Sequence, residues 1–371
     1  MPNVTPEQVA AFRLRSHHLT DPLPADRLVD AVRDSGGIQA QVMNAAKLSL
    51  RARTTGLSPA MVDHALDVDR TVVKIWTMRH TVHLLATEDL PLYVSALGES
   101  LMRITRSWYE RAGLTPEVRR TMMDAALEVL EAGPMTRKEL ADAVEPVIGS
   151  KYRRWVVGSW GGVMKQGFME GTLVFGPSRG QNPTFMRRDH LLPDWDPPPR
   201  DEALAQLMRR HLHAFGPARV QDFVAWTAST VGECRPVWDT LAEETVEVHH
   251  MGRTCRMLAD DAELAASLEP AGPQVQLLGH FDTYLLGHKE RTQVVDERDR
   301  KRVFRPAGWI YPVVLVNGMA LGNWSADAKA KATTINVEPF GRFPKGVRPT
   351  IQKEALDLGR FWGTKVSVDY T

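Results

Sequence analysis

The sequence predicts a mainly α fold with β: three tandem winged-helix units followed by a C-terminal β-rich, barrel-like domain. Three observations support this. The order helix, Gly-Pro turn, helix, helix, two-stranded hairpin occurs twice, and the N-terminal region fits the same plan. The stretch "DWDPPPR", Asp194–Arg200, carries three consecutive prolines, which continue neither a helix nor a central strand and so mark a linker. Beyond a softer break at "EPAGPQ", Glu269–Gln274, long helical periodicity gives way to short β-type runs.

In the first unit, residues 1–118, "PADRLVDAVRDSGGIQAQ" reads as a helix stopped by Gly36-Gly37. "VMNAAKLSLRARTT" follows as a second helix, and "PAMVDHALDVDRTVVKIWTMRHTVHLLAT" as a third helix leading into strands. In the second unit, residues 119–194, Gly133-Pro134 stops one helix. Thr136 is placed to cap the next, with Glu139 completing a capping box. Its hairpin is "GFMEGTLVFGP…NPTFMRR". In the third unit, residues 201–268, Gly216-Pro217 plays the same part and "VEVHHMGRTCRML" is the hairpin. The C-terminal domain, residues 274–371, contains "QVQLLGHFDTYLLG", "GWIYPVVLVNGMALGNW" and "TKVSVDYT". Within it Asn317-Gly318 supplies the positive φ values of a tight hairpin turn.

Composition narrows the function classes. The 371 residues are 43% hydrophobic and 25% charged, as in an ordinary soluble globular protein. No apolar run approaches the roughly 18 residues of a membrane span, and the N-terminus lacks the apolar core of a signal peptide. Cys234 and Cys255 stand in no close-spaced metal or redox pattern. The expectation is a cytoplasmic monomer without membrane association. The net charge of +1 says little about a nucleic-acid partner. The densest basic run, "HKERTQVVDERDRKRVFR", reads first as a solvated hairpin or loop. Twelve histidines include no HExxH and no deaminase-type zinc spacing, so no metal is expected. No Gly-rich phosphate loop appears and no cofactor is implied. "GSWGG", Gly158–Gly162, has Trp160 where a nucleophile elbow needs serine, and reads as a glycine-eased helix contact.

One stretch is chemically unusual. "GGIQAQVMN", Gly36–Asn44, sets Gln39 and Gln41 on either side of Ala40, directly after the glycine pair. Inside a helix two such residues point about 200° apart. On an extended lead-in they share a face, where two amide carbonyls can hold one water. The plain alternative is that both glutamines solvate a helix end.

The motifs "GGIQAQ", "IWTMRHTVHLLATEDL", "HAFGPARVQDFVAWT", "LLGHFDTYLLGHKER" and "GWIYPVVLVNGMALGNW" span most of the chain. With them the chain resembles the winged-helix DNA glycosylase superfamily of AlkZ and YcaQ. The catalytic signature there is glutamine, an aliphatic residue, then glutamine or aspartate. Gln39-Ala40-Gln41 matches the AlkZ-like branch; the YcaQ-like form has aspartate second. The resemblance implies a monofunctional glycosylase that removes bulky N7-alkylguanine from double-stranded DNA, from crosslinks or natural-product monoadducts, in genotoxin self-resistance. It implies Gln39 and Gln41 as catalytic residues. DNA contacts would come from Lys47, Arg79, His80, His288, Lys289 and Arg291. His83 reads equally as a structural histidine, and Asp282 and Tyr284 as anchors of the β domain. Two other readings stay open: a winged-helix transcription regulator, and a non-catalytic binder of DNA lesions.

Overall fold

The computed structural model describes residues 4–158, 162–269, 272–329 and 332–371. The middle of "GSWGG" and part of "EPAGPQ" lie outside the described residues. The chain forms two compact units. One takes the residues up to Val62 together with Met208–Trp226 and Cys234–Thr371; the other takes Asp63–Leu207 and Thr227–Glu233. Among the described residues no helix is long and apolar enough to cross a membrane.

The Asp63–Leu207 unit shows how local signals become structure. The helices Pro116–Val129, Arg137–Ile148, Ser150–Val157 and Met164–Met169 precede a hairpin of Leu173–Arg179 and Asn182–Arg187. Thr136 caps the Arg137–Ile148 helix as its sequence demands. Its hydroxyl accepts from the Glu139 amide, and the Glu139 carboxylate accepts from the Thr136 amide at 2.8 Å. The strands Val72–Thr77 and Thr81–Ala86 pair antiparallel, and Lys74 pairs with Phe175 to join them to the hairpin. Phe168 packs against Phe175 and Phe185 of these strands, with ring centroids 4.7–5.9 Å apart. Residues 192–199 carry no regular structure, which places the triple proline in a connection.

In the other unit, the strands Val275–Leu278, Val313–Val316, Met319–Lys329, Ala332–Pro339 and Lys365–Tyr370 lie side by side in chain order. Asn317 (φ +47°) and Gly318 (φ +83°) turn the second strand into the third. The sheet is open, with Val275–Leu278 and Lys365–Tyr370 at its ends, so the barrel expectation is corrected. The cause is a helix, Val347–Trp362, which carries the chain across so that the last strand joins parallel to Ala332–Pro339. Its Val347, Ile351, Ala355 and Leu358 cover one face of the sheet, against Leu277, Val314 and Ile335. The other face packs Val313 and Leu315 against Tyr284, Leu285, Val295 and the N-terminal Leu14. A sheet covered on both faces explains why "VVLV" is apolar at every position. The basic run is neither hairpin nor strand. It holds short helical turns at Arg291–Gln293 and Arg300–Val303, and Arg302 pairs with Glu338 at 2.7 Å.

Candidate functional site

The glutamine segment is fixed from both ends. The Leu28–Asp34 helix stops because Gly36 (φ +69°) and Gly37 (φ +89°) adopt left-handed backbone. Their amides donate to the Arg33 and Val32 carbonyls at 2.9 Å. A side chain at position 36 is also excluded by space, since a Cβ there would lie 2.8 Å from the Trp226 ring. Ile38 and Gln39 are extended, and the helix Met43–Arg51 starts after Val42, itself extended (φ −123°, ψ 109°). Neither glutamine is therefore in a helix, as the glycine pair suggested. The two differ in setting: Gln39 is 7% exposed, whereas Gln41 is open to solvent.

A buried charge cluster anchors this segment. Arg53 and Asp282 are both fully buried. Arg53 donates to the two Asp282 oxygens at 2.9 and 2.8 Å, to the Ser49 carbonyl at 2.8 Å and to Ser35 Oγ at 3.0 Å. Ser49 Oγ donates to Asp282 at 2.8 Å, and the Thr283 hydroxyl donates to the Ser35 carbonyl at 3.4 Å. Ser35 precedes the glycine pair and Ser49 lies on the helix after Gln41. One guanidinium thus ties together both flanks of Gln39-Ala40-Gln41. The sequence named Asp282 as an anchor but missed Arg53, Ser35 and Ser49. Arg53 gives no local signal, because its partner lies 229 residues away.

The expected DNA contacts separate. Lys289 is exposed and Lys47 is half-buried, as surface contacts require. His288 is 3% exposed, and its Nε2–H donates to the Phe215 carbonyl at 2.8 Å. Burial holds its pKa well below the usual histidine value, so it is a neutral fold contact. Arg291 is half-buried. Its Nη1 donates to the Leu285 and His288 carbonyls, closing the loop, and burial lowers its pKa to about 10. At the turn after Val72–Thr77, Arg79 and His80 both take left-handed backbone (φ +55°). Burial pushes His80 down to about 4, with Lys165 adding to the shift, so at neutral pH it offers no charge to a phosphate. His83 is 1% exposed; it donates from Nδ1 to the Thr81 carbonyl and accepts from Arg79 at Nε2. That pattern makes it the structural histidine. Arg79 remains half-buried beside it. Among the described residues no group of three or more His, Cys, Asp or Glu could hold a metal.

A buried ion pair thus holds the backbone on both sides of Gln39-Ala40-Gln41, with Gln39 buried and Gln41 exposed. The family model described as DNA glycosylase AlkZ-like matches residues 32–361, from the helix before the glycine pair to the last helix. The chain belongs to the AlkZ-like DNA glycosylase family. It is 30% identical over 365 residues to the interstrand DNA cross-link repair glycosylase of Streptomyces sahachiroi, with 96% of each chain covered. The solved structure of the Streptomyces sahachiroi DNA glycosylase AlkZ superposes with a TM-score of 0.88, at 29% identity and over 100% of both chains. An AlkZ-like chain is a DNA glycosylase with a DNA substrate, so the transcription-regulator and non-catalytic readings give way to an enzyme.

Proposed function

We propose that this glycosylase hydrolyses the N-glycosidic bond of bulky N7-alkylguanine in duplex DNA, with Gln39 and Gln41 positioning the attacking water. The observation that supports the proposal is that Gln39 and Gln41, two amides and no carboxylate, flank Ala40 on non-helical backbone where the resemblance places the signature. Alkylation at N7 puts a formal positive charge on guanine, so the departing base needs no proton. What remains is to hold water at C1′ and to favour the oxocarbenium ion that develops there. Two amide oxygens offer negative dipole ends for both tasks, without a strong base. The name of the Streptomyces relative supports crosslinks as substrates. Natural-product monoadducts and a role in self-resistance to a genotoxin belong to the same proposal. So do Lys47, Arg79 and Lys289 as phosphate contacts, a monomer working in the cytoplasm, and winged-helix units at residues 1–118, 119–194 and 201–268.

The test is single-turnover excision from duplex DNA with a defined N7-guanine adduct, read as alkali-dependent strand scission. Gln39→Ala and Gln41→Ala should each slow excision about 100- to 1000-fold with DNA affinity near normal. The double variant should lose less than the product, because both residues act on one water. Folded single variants that excise at the wild-type rate would move the active site elsewhere.

A further inference from the structure

A cleft of about 920 Å³ opens beside the glutamine segment, within one compact unit. One wall is the start of the Met43–Arg51 helix, through Val42, Asn44 and Leu48; Val42 directly follows Gln41. The other walls are aromatic. Trp309 and Tyr311 come from the loop before the Val313–Val316 strand, Trp324 from the next strand and Trp362 from the end of the last helix.

The aromatic wall is built and held. The Arg305 amide donates to the Trp309 carbonyl at 2.8 Å, and the Tyr311 amide to the Val303 carbonyl at 2.9 Å. Ala307 (φ +56°) and Gly308 (φ +77°) make the sharp turn between them. His280 Nδ1–H donates to the Ile310 carbonyl at 2.9 Å, and Trp309 packs on Phe281 at 5.1 Å. Across the cleft, the Trp324 indole N–H donates to the Leu278 carbonyl at 2.8 Å. Despite this bracing Trp309 stays 45% exposed and Tyr311 38% exposed. Large rings fixed in place and left in water are what a stacking site requires, since their ordering cost is met before a ligand arrives.

Size and charge select the occupant. The volume sits near the top of the roughly 300–1,000 Å³ range of drug-sized ligand sites, well beyond the need of a single base. No Asp or Glu lines the cleft among the described residues, and Arg305 lies over the Tyr311 ring at 4.7 Å. Apolar faces with one cation suit a planar group next to a phosphodiester. Val42 of the lining directly follows Gln41, so a group held in the cleft lies beside the glutamine segment.

We propose that this cleft receives the planar polycyclic aromatic part of the adduct, stacked on Trp309 and Tyr311, while the alkylated guanosine faces Gln39 and Gln41. The inference rests on the bulky N7-alkylguanine reading given under the proposed function. It makes the cleft a specificity site, set by what the guanine carries and not by the base.

The experiment uses the full chain and two duplexes that differ at one guanine. One carries an N7-methyl group and the other an N7-linked acridine. Both have a 2′-fluoroarabino sugar, so that the bond survives the measurement. Equilibrium affinity for each is measured by fluorescence anisotropy, and the ratio of the two is the readout. The wild type should bind the acridine duplex at least about tenfold more tightly. Trp309→Ala should reduce that preference by about five- to a hundredfold, the span of one stacked aromatic contact. Tyr311→Ala should act in the same direction and Trp309→Phe should keep most of the preference. Equal wild-type affinities would overturn the proposal. So would a Trp309→Ala variant that weakens both duplexes by the same factor, since the tryptophan would then be a general DNA contact. Unprotected duplexes separate the two readings. An acridine preference without any base loss supports the cleft and overturns the hydrolytic role. Base loss without a preference does the reverse.

Discussion

Replacing Asp282 by alanine tests whether the buried charge cluster holds the glutamine segment. The carboxylate accepts four hydrogen bonds: two from Arg53 at 2.9 and 2.8 Å, one from Ser49 Oγ at 2.8 Å and one from the Tyr284 amide at 3.0 Å. Both members of the ion pair have no solvent exposure. Alanine would leave the Arg53 guanidinium charged, buried and short of its main partner. Breaking a buried pair from one side costs about 3–5 kcal/mol, because a charge is left uncompensated. At about 2–4 °C per kcal/mol for a unit of this size, the melting temperature should fall by roughly 6–20 °C. Asp282→Asn keeps one acceptor oxygen and should lose less. In a double-mutant cycle with Arg53→Met, the two losses should not add, since either change alone strands the other partner. Urea unfolding read by tryptophan fluorescence gives the stabilities, with the two units followed as separate transitions if they part. Folded Asp282→Asn should also excise about ten- to a hundredfold more slowly, through misplacement of the segment between Ser35 and Ser49. An Asp282→Ala variant within about 1 kcal/mol of wild type would show that the pair is not sustaining a buried charge, and would remove it as the anchor.

Two further outcomes follow from packing and protonation. Gly287→Ala places a Cβ 2.0 Å from the Phe215 ring, within the motif that also holds His288, and should cost about 1–3 kcal/mol in urea unfolding; a neutral effect would mean that the Phe215 ring yields freely. Burial lowers His80, His211 and His250 to about 4 each, so between pH 6.5 and 4 the unfolded chain binds more protons than the folded one and stability should fall steadily, as urea midpoints at pH 7, 5.5 and 4.5 would show. The half-exposed His213 opposes this weakly: its hydrogen bond to Asp261 raises its pKa, so its contribution is complete below pH 6.5 and is lost as pH rises. A midpoint that stays flat across this range would refute the buried, neutral state of the three histidines.

What the sequence made legible was local. The Thr136–Glu139 capping box, the Asn317-Gly318 turn and the Gly36-Gly37 helix stop each depend on residues within a few positions, and each formed as read. The open sheet was not legible, because it depends on parallel pairing of Lys365–Tyr370 with a strand some thirty residues earlier. The helix that makes this connection carries Pro349 near its start, where a proline costs little but masks the periodicity. The basic run, read as a solvated hairpin or loop, is a loop with short helical turns. His288 and Arg291 stand in a charged stretch, yet His288 bonds the Phe215 carbonyl at the end of a distant helix and Arg291 the Leu285 and His288 carbonyls of its own loop. Charge in a sequence shows which groups must be satisfied, and whether water or backbone does so depends on how the chain folds back, at three and six residues for Arg291 and at seventy-three for His288.

The unequal burial of Gln39 and Gln41 also bears on why the family signature allows aspartate only at the second position. A carboxylate at position 39 would sit where the native side chain is 7% exposed, whereas one at position 41 would stay in water. The like-for-like test is Gln39→Glu against Gln41→Glu, which change charge at constant shape. Burial raises a carboxyl pKa, by up to about 3–5 units for a fully buried group. The folded Gln39→Glu variant should therefore keep its proton at pH values where the unfolded chain has lost it. With more protons bound in the folded state, its stability relative to wild type should fall as pH rises above about 4.3, until the raised folded pKa is passed. At neutral pH the protonated acid would carry a hydroxyl donor on one oxygen, and excision should fall with it. Gln41→Glu should show neither the pH-dependent loss nor a large drop in excision, and Gln41→Asp should retain part of the activity. Urea unfolding at pH 5 and pH 8 and single-turnover excision on the same preparations give both readouts. Equal stability of the two glutamate variants at pH 8 would mean that position 39 is open to water, and the asymmetry would then need an explanation other than burial.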